Sequence, residues 1–114
     1  MQSSKYSTLK IHASTTDRIG SKILYQHIVE LARQKGISGA TVYRGIMGYG
    51  SSSAISSSRF WELTEKLPVV IELVDTTEKL ESFYREIEEE LLAMPKGCLV
   101  SLEPVQILLQ KKGQ

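Results

Sequence analysis

Residues 69–74 read VVIELV, and this run of five apolar residues with one glutamate is the strongest predicted strand in the chain. β-Branched and aliphatic side chains favour extended backbone, and apolar residues on both faces are typical of a strand buried inside a sheet. Pro68 precedes the run and Asp75 follows it, and these two residues mark its ends. The run therefore predicts a central strand that is covered on both sides.

A helix is predicted directly after this strand, because Asp75 and Glu78 have the spacing of a capping box. Apolar residues then recur at helical spacing, and they are Leu80, Phe83, Tyr84, Ile87, Leu91 and Met94. The sequence PKG at 95–97 ends the helix, and residues from Cys98 to Leu102 predict another strand. Pro104 lacks an amide proton, so it limits this strand to an edge position. Residues 105–109 could continue that edge segment, and we expect a loose tail at about 110–114.

The residues before the central strand predict two more strands and a second helix. Residues 5–14 alternate in polarity, and one face of this strand carries Leu9, Ile11 and Ala13. A helix is predicted up to Lys35, with Ser21 as its N-cap and Gly36 as its C-terminal stop. Residues 39–45 predict the next strand because they are rich in β-forming side chains.

The resulting order β-α-β-β-α-β is that of the ferredoxin-like split βαβ motif. It predicts an α+β fold with a four-stranded antiparallel sheet and two helices on one face. The other face is left open, and we expect Val70 and Val74 to lie there near His12 and Tyr43. A half-apolar open face in a small domain is usually covered by another subunit, so we expect a homo-oligomer.

The composition limits the class of protein. A chain of 114 residues predicts one domain over 1–114, and 14 basic against 13 acidic residues give a net charge of +1. This balance gives no electrostatic case for binding nucleic acid or for insertion into a membrane. The charge is uneven, because residues 1–50 hold seven basic and two acidic residues. A single cysteine and the absence of a long apolar run or signal peptide lead us to expect a cytoplasmic protein.

A long loop at about 45–67 separates the second and third strands, whereas a hairpin needs about 2–5 residues. It begins with three closely spaced glycines, continues through serines and ends with RFWEL at 59–63. The glycines allow two interpretations: they permit turns in a flexible loop, or they let backbone N–H groups approach an anion. The spacing matches neither a P-loop nor the dinucleotide fingerprint.

No catalytic or metal constellation stands out, and we predict that the chain is not an enzyme. His12 and His27 are interpreted as structural, because a zinc site needs more ligands at recognisable spacing. Cys98 is interpreted as a buried, inert thiol. The glutamates at 88–90 are adjacent and fan around a helix, so they cannot act as a paired acid and base. We predict no metal site and no required cofactor.

Three stretches of the sequence form a recognisable set. They are ATVYRGIMGYG at 40–50, LPVVIELVD at 67–75, and Asp17-Arg18 followed by Leu24-Tyr25. Together they resemble a PII-like family known as domain of unknown function 190, with the first stretch as the specific match and the other two as support. The family is similar to PII signal-transduction proteins and to the cation-tolerance protein CutA. The resemblance implies a ferredoxin-like homotrimer with clefts between subunits, which in PII relatives bind adenine nucleotides such as ATP, ADP or AMP.

Carried onto this sequence, the resemblance places the predicted ligand site on two loops, at Arg44, Gly45, Gly48, Gly50, Lys96 and Gly97. A lysine charge beside glycine amides suits a phosphate group. The resemblance also implies that the long loop contacts a target protein, for which a membrane-associated protein is one option. The alternative is an interaction module that needs no ligand, in which Arg59, Phe60 and Trp61 contact the partner directly.

Overall fold

The strands and helices follow the predicted order in the computed structural model, which describes residues 5–50, 56–57 and 66–113. In chain order the elements are β1 (Tyr6–Ser14), β2 (Arg18–Ile19), β3 (Lys22–Ile23), α1 (Leu24–Gln34), β4 (Gly39–Arg44), β5 (Met47–Gly48), β6 (Ser56–Ser57), β7 (Pro68–Thr76), α2 (Thr77–Ala93) and β8 (Leu99–Val105). The six longer elements confirm the β-α-β-β-α-β prediction. The short strands β2, β3, β5 and β6 were not predicted.

The main sheet has the order β4-β7-β1-β8, and every neighbouring pair is antiparallel. The predicted central strand is β7, which pairs with β4 on one side and β1 on the other. Its burial alternates, because Val69, Ile71 and Leu73 are buried whereas Val70 and Val74 are partly exposed. Within one chain only one of its faces is covered, since both helices pack on that face, and cover of the other face by a second subunit stays a prediction.

The hydrophobic core lies between this face and the two helices. Helix α1 contributes Leu24, Ile28 and Ala32, and α2 contributes Leu80, Phe83, Ile87 and Leu91. These are residues of the predicted apolar stripes, since period-3.6 spacing places them on the inner side of each helix. The core is completed by the sheet residues Leu9, Ile11, Ile71 and Leu73.

The helix ends differ from the prediction at both N-termini. Helix α1 begins after Ile23 with no side-chain cap, so Ser21 is not the N-cap. Its first amide, that of Leu24, donates instead to the Asp17 carbonyl at 2.8 Å. Helix α2 begins after Thr76, whose hydroxyl accepts from the Lys79 amide, so Asp75 is not the cap.

Helix α1 is terminated by the glycine that follows its C-cap, as predicted. Gly36 has φ +79°, a left-handed conformation that glycine adopts without steric cost. The Gly36 amide donates to the Arg33 carbonyl and the Ile37 amide to the Ala32 carbonyl. This pair of bonds is the Schellman motif, and it turns the chain from α1 toward β4.

Strand β8 runs to Val105 and includes Pro104, which is opposite Ser7 of β1. The edge position predicted from Pro104 is confirmed. The expectation that 106–109 continue this strand is wrong, because residues 106–113 form no helix or strand and are largely exposed. In the described part of the chain, no helix combines the length and apolar character needed to cross a membrane.

Candidate functional site

The predicted ligand residues lie at one end of the sheet. The strands β4 and β1 finish at this end, and β7 and β8 begin there, because all four are antiparallel neighbours. The register shows this directly, since Arg44 is paired with Val69 and His12 with Leu99. The long loop leaves β4 at this end, and the connection from α2 to β8 reaches it as well.

The base of the long loop is packed against Pro68, the first residue of β7. The Gly45 amide donates to the Pro68 carbonyl at 2.8 Å. A Cβ atom on Gly45 would lie 3.3 Å from the Pro68 Cβ, and one on Gly48 would lie 3.0 Å from the Pro68 Cγ. Close packing is therefore a concrete reason for glycine at both positions, independent of any ligand.

Two further contacts hold the loop base, and the sequence analysis missed both. Met47 and Gly48 of β5 pair with Ser57 and Ser56 of β6, so this part of the loop is a short ladder. On the other side, the Thr15 amide donates to the Leu67 carbonyl at 2.9 Å, and the Leu67 amide donates to the Thr15 hydroxyl at 3.1 Å. No local pattern indicates Thr15, whose role depends on the pairing of β1 with β7.

Lys96 and Gly97 lie at the same end of the sheet but beside β8, the opposite edge strand. Strands β7 and β1 separate them from β4. At about 4.8 Å per strand, the two edges are about 14 Å apart. The structure thus brings Arg44, Gly45 and Gly48 together, and it does not bring Lys96 and Gly97 to them within one chain.

The loops at this end carry five basic residues, and they are Arg18, Lys22, Arg44, Lys66 and Lys96. Asp17 also lies there, but its carboxylate is buried and accepts a hydrogen bond from the Ser14 amide at 2.9 Å. The acidic C-terminal part of α2 reaches this end as well, because the Glu90 carboxylate lies 3.3 Å from His27 near the start of α1. The positive charge that an anion can use is therefore carried by the loops, and three of its five residues belong to the basic excess of residues 1–50.

Cys98 follows Lys96 and Gly97 and is exposed, so the prediction of a buried thiol is wrong. The strand begins one residue later, at Leu99, and this edge of the sheet is largely exposed, since Leu99 itself is 62% exposed. Partial burial raises the pKa of the Cys98 thiol above its ordinary value, and the nearby Asp17 carboxylate adds to the effect. Both causes penalise the thiolate, which is the nucleophilic form.

We expect Cys98 to react with iodoacetamide more slowly than an exposed thiol of ordinary pKa. Its alkylation rate should rise with a midpoint at higher pH than that of N-acetylcysteine amide measured in parallel, because less thiolate is present at each pH. The Asp17→Asn variant should shift the midpoint down, since it removes one of the two causes. A midpoint at or below that of N-acetylcysteine amide would contradict the prediction.

The open face of the sheet has an apolar band next to this end. Leu99, His12, Val70 and Tyr43 lie side by side across the four strands. Leu99 is 62% exposed and Tyr43 45% exposed. The expected proximity of Val70 to His12 and Tyr43 is confirmed, whereas Val74 lies farther along, opposite Thr8 and Gly39.

The structure supports the structural interpretation of His27, but it does not describe the residues that were predicted to contact a partner protein. The His27 Nε2 atom lies 3.3 Å from the Glu90 carboxylate and links α1 to α2, which agrees with a structural interpretation. Within residues 5–50, 56–57 and 66–113, no group of three or more His, Cys, Asp or Glu side chains could hold a metal ion. Arg59, Phe60 and Trp61 lie outside the described residues, and their contact with a partner stays a prediction.

A comparison with known families matches residues 6–107 to domain of unknown function 190, described as uncharacterized ACR, COG1993. The chain belongs to this family. The DUF190 chain is 34% identical over 104 residues to a UPF0166 protein of Aquifex aeolicus strain VF5. That alignment covers 91% of this chain and 94% of the relative. The family suspected from residues 40–50 is therefore confirmed.

Solved structures share the fold of this DUF190 chain. It is similar to CPII, a nitrogen regulatory PII-like protein from Thiomonas intermedia K12 bound to ADP, AMP and bicarbonate, with a TM-score of 0.64 and 14% identity over 90% of this chain and 93% of that one. It is also similar to the divalent ion tolerance protein CutA1 from Ehrlichia chaffeensis, with a TM-score of 0.54 and 16% identity. That match covers 91% of this chain and 85% of CutA1. At such identities the likeness establishes the fold of the DUF190 chain.

Proposed function

We propose that this chain is a PII-like regulatory protein that binds an adenine nucleotide in clefts between the subunits of a homotrimer. The observation that carries the proposal is the group of basic residues in the loops at one end of the sheet, where the glycine-rich loop base and the Lys96–Gly97 connection both lie. The likeness to CPII, which was solved with ADP and AMP, supports an adenine nucleotide as the anion.

The separation of the two loops explains why we place the site between subunits. The two edges of the sheet are about 14 Å apart within one chain, too far for backbone amides of both loops to contact the same phosphate. If β4 of one copy faces β8 of the next, Arg44 of the first copy and Lys96 of the second approach each other. The apolar band on the open face gives such copies a surface to bury.

In this site, Arg44 and Lys96 neutralise the phosphates, and the backbone amides at Gly50 and Gly97 are candidate donors to them. Gly45 and Gly48 act indirectly, because they hold the loop base against Pro68. The nucleotide is a regulatory ligand, so the proposal includes no catalytic step, no required cofactor and no metal. It places the whole of residues 1–114 in one domain of a cytoplasmic protein that binds no nucleic acid.

The long loop is the part that we propose to contact a target protein. A nucleotide at the loop base alters target binding only if it binds one loop arrangement more tightly than another. The alternative is ligand-independent contact through Arg59, Phe60 and Trp61. Capture of a target by immobilised protein should change with ADP or ATP under the first hypothesis. Under the alternative, capture should be unaffected by nucleotide and lost in Trp61→Ala.

Isothermal titration with ATP, ADP and AMP tests the nucleotide site. We expect at least one of them to bind, and we expect Arg44→Ala and Lys96→Ala each to weaken it about five- to tenfold, because each removes a charge-assisted contact. The matched control is Arg33→Ala, which removes an exposed arginine from the last turn of α1, at the opposite end of the sheet. Absence of heat with all three nucleotides, or equal losses in all three variants, would overturn the proposal.

A further inference from the structure

A groove lies between α2 and the edge strand β8, on the face of the sheet that carries the helices. Its volume is about 420 Å³. Val100 and Leu102 contribute apolar surface to it above the buried Leu9 and Leu80, and Glu81, Tyr84 and Arg85 line it from α2. The groove exists because α2 packs on β1 and β7 and leaves β8 uncovered, so that Leu102 remains 38% exposed.

The segment that follows β8 exposes an unusual amount of apolar surface. Ile107, Leu108 and Leu109 are consecutive, and the two leucines are 88% and 81% exposed. A single exposed leucine is ordinary on a protein surface, whereas a continuous apolar run marks a contact site. Lys111 and Lys112 follow directly, so the segment combines an apolar run with a basic pair.

Two acidic side chains of α2 are available beside the groove for the basic pair. Residues 78–90 hold six glutamates, of which Glu86 and Glu90 contact Lys35 and His27 on the α1 side. Arg85 also lines the groove and offsets one of the remaining carboxylates. Glu81 lines the groove, and Glu88 hydrogen-bonds the Tyr84 hydroxyl beside it; partial burial and this bond to Glu88 raise the pKa of Tyr84. In extended chain, Lys111 and Lys112 lie about 7–10 Å beyond Leu109. Side chains at that distance can reach glutamates along α2 while the leucines occupy the groove.

We propose that residues 107–112 of one copy of this chain dock in the groove between α2 and β8 of a second copy. The leucines fill the groove, and the lysines pair with Glu81 and Glu88 of α2. The segment does not occupy the groove of its own chain, because Leu108 and Leu109 remain 88% and 81% exposed.

Sedimentation equilibrium of the full chain tests the contribution of the leucines. The double variant Leu108→Asp/Leu109→Asp should self-associate at least about tenfold more weakly than the natural chain, because two apolar side chains lose their burial. Leu92→Asp is the matched control, since Leu92 is 79% exposed on α2 and does not line the groove. Unchanged self-association of the double variant, with its far-UV circular dichroism preserved, would overturn the proposal.

Disulfide cross-linking tests the occupant of the groove without depending on a nucleotide. In a Cys98→Ser background, a chain with Leu102→Cys is mixed with a differently tagged chain carrying Leu108→Cys and then oxidised. We expect a mixed dimer, and we expect none when Leu92→Cys replaces Leu102→Cys. A chain carrying both Leu102→Cys and Leu108→Cys that closes only on itself, or the absence of any mixed dimer, would contradict docking between copies. Failure of nucleotide binding would leave this result unaffected.

Discussion

Replacing Asp75 by alanine is expected to lower the free energy of unfolding by about 3 kcal/mol. The carboxylate of Asp75 is buried and accepts hydrogen bonds from the Ser38 amide at 2.8 Å and the Thr76 amide at 2.6 Å. Alanine leaves both amides without this acceptor, and a donor left unpaired in a buried site costs about 1–3 kcal/mol.

The same carboxylate joins two connections that are distant in sequence. The Lys79 Nζ atom lies 3.6 Å from Asp75 and donates to the Gly36 carbonyl at 2.6 Å. The Ser38 hydroxyl donates to the Val74 carbonyl at 2.7 Å. The turn after α1 is thereby bound to the junction of β7 and α2, so loss of Asp75 loosens both helices against the sheet.

Urea denaturation followed by circular dichroism measures this effect. Asp75→Asn should lose less stability than Asp75→Ala, because the amide oxygen can still accept one hydrogen bond. Glu89→Ala serves as the control, since it removes an exposed carboxylate from α2 and should change stability by less than about 0.5 kcal/mol. Equal stability of Asp75→Ala and Glu89→Ala would show that the buried network contributes little.

The Gly48→Val variant is expected to lower the free energy of unfolding by about 2 kcal/mol. A Cβ atom at this position would lie 3.0 Å from the Pro68 Cγ, and the two methyl groups of valine add further crowding. Valine stabilises extended backbone relative to glycine by up to about 1 kcal/mol. A net loss of stability in the variant would therefore come from the clash with Pro68.

Gly39→Val is a closely matched control for this substitution. Gly39 also lies in a strand, and a Cβ atom there would meet nothing within 4 Å. Its stability should stay within about 0.5 kcal/mol of the natural chain or rise, because valine restricts the unfolded chain and suits a strand. If Gly48→Val proved as stable as Gly39→Val, the packing explanation for Gly48 would fail and close approach to a ligand would be the better explanation.

The secondary structure was largely predictable, because periodicity is a local property of the chain. The alternation in residues 5–14 and the helical spacing from Leu80 to Leu91 appear in the structure as predicted. Helix starts were less predictable. Several residues near each start can act as a cap, and tertiary contacts such as Asp75 with Ser38 decide which of them does.

The candidate site was predictable in part. The residues of its two loops came from a family resemblance, and the match over residues 6–107 confirms the family. The packing of Gly45 and Gly48 on Pro68 was not predictable, because it joins residues about twenty positions apart across the long loop. The exposure of Cys98 was also missed, since it depends on the packing of α2 over β1 and β7, which leaves the edge at β8 largely exposed.

The sequence by itself determined the order of the elements, the inner faces of both helices and the uneven distribution of charge, because each of these depends on residues close together in the chain. The tertiary structure alone decided the register of the strands and the contacts at the loop bases. These join residues distant in sequence, which no local pattern encodes. The sheet places Arg44 and Lys96 at one end but on opposite edges. For that reason we propose a ligand site formed between copies of the chain.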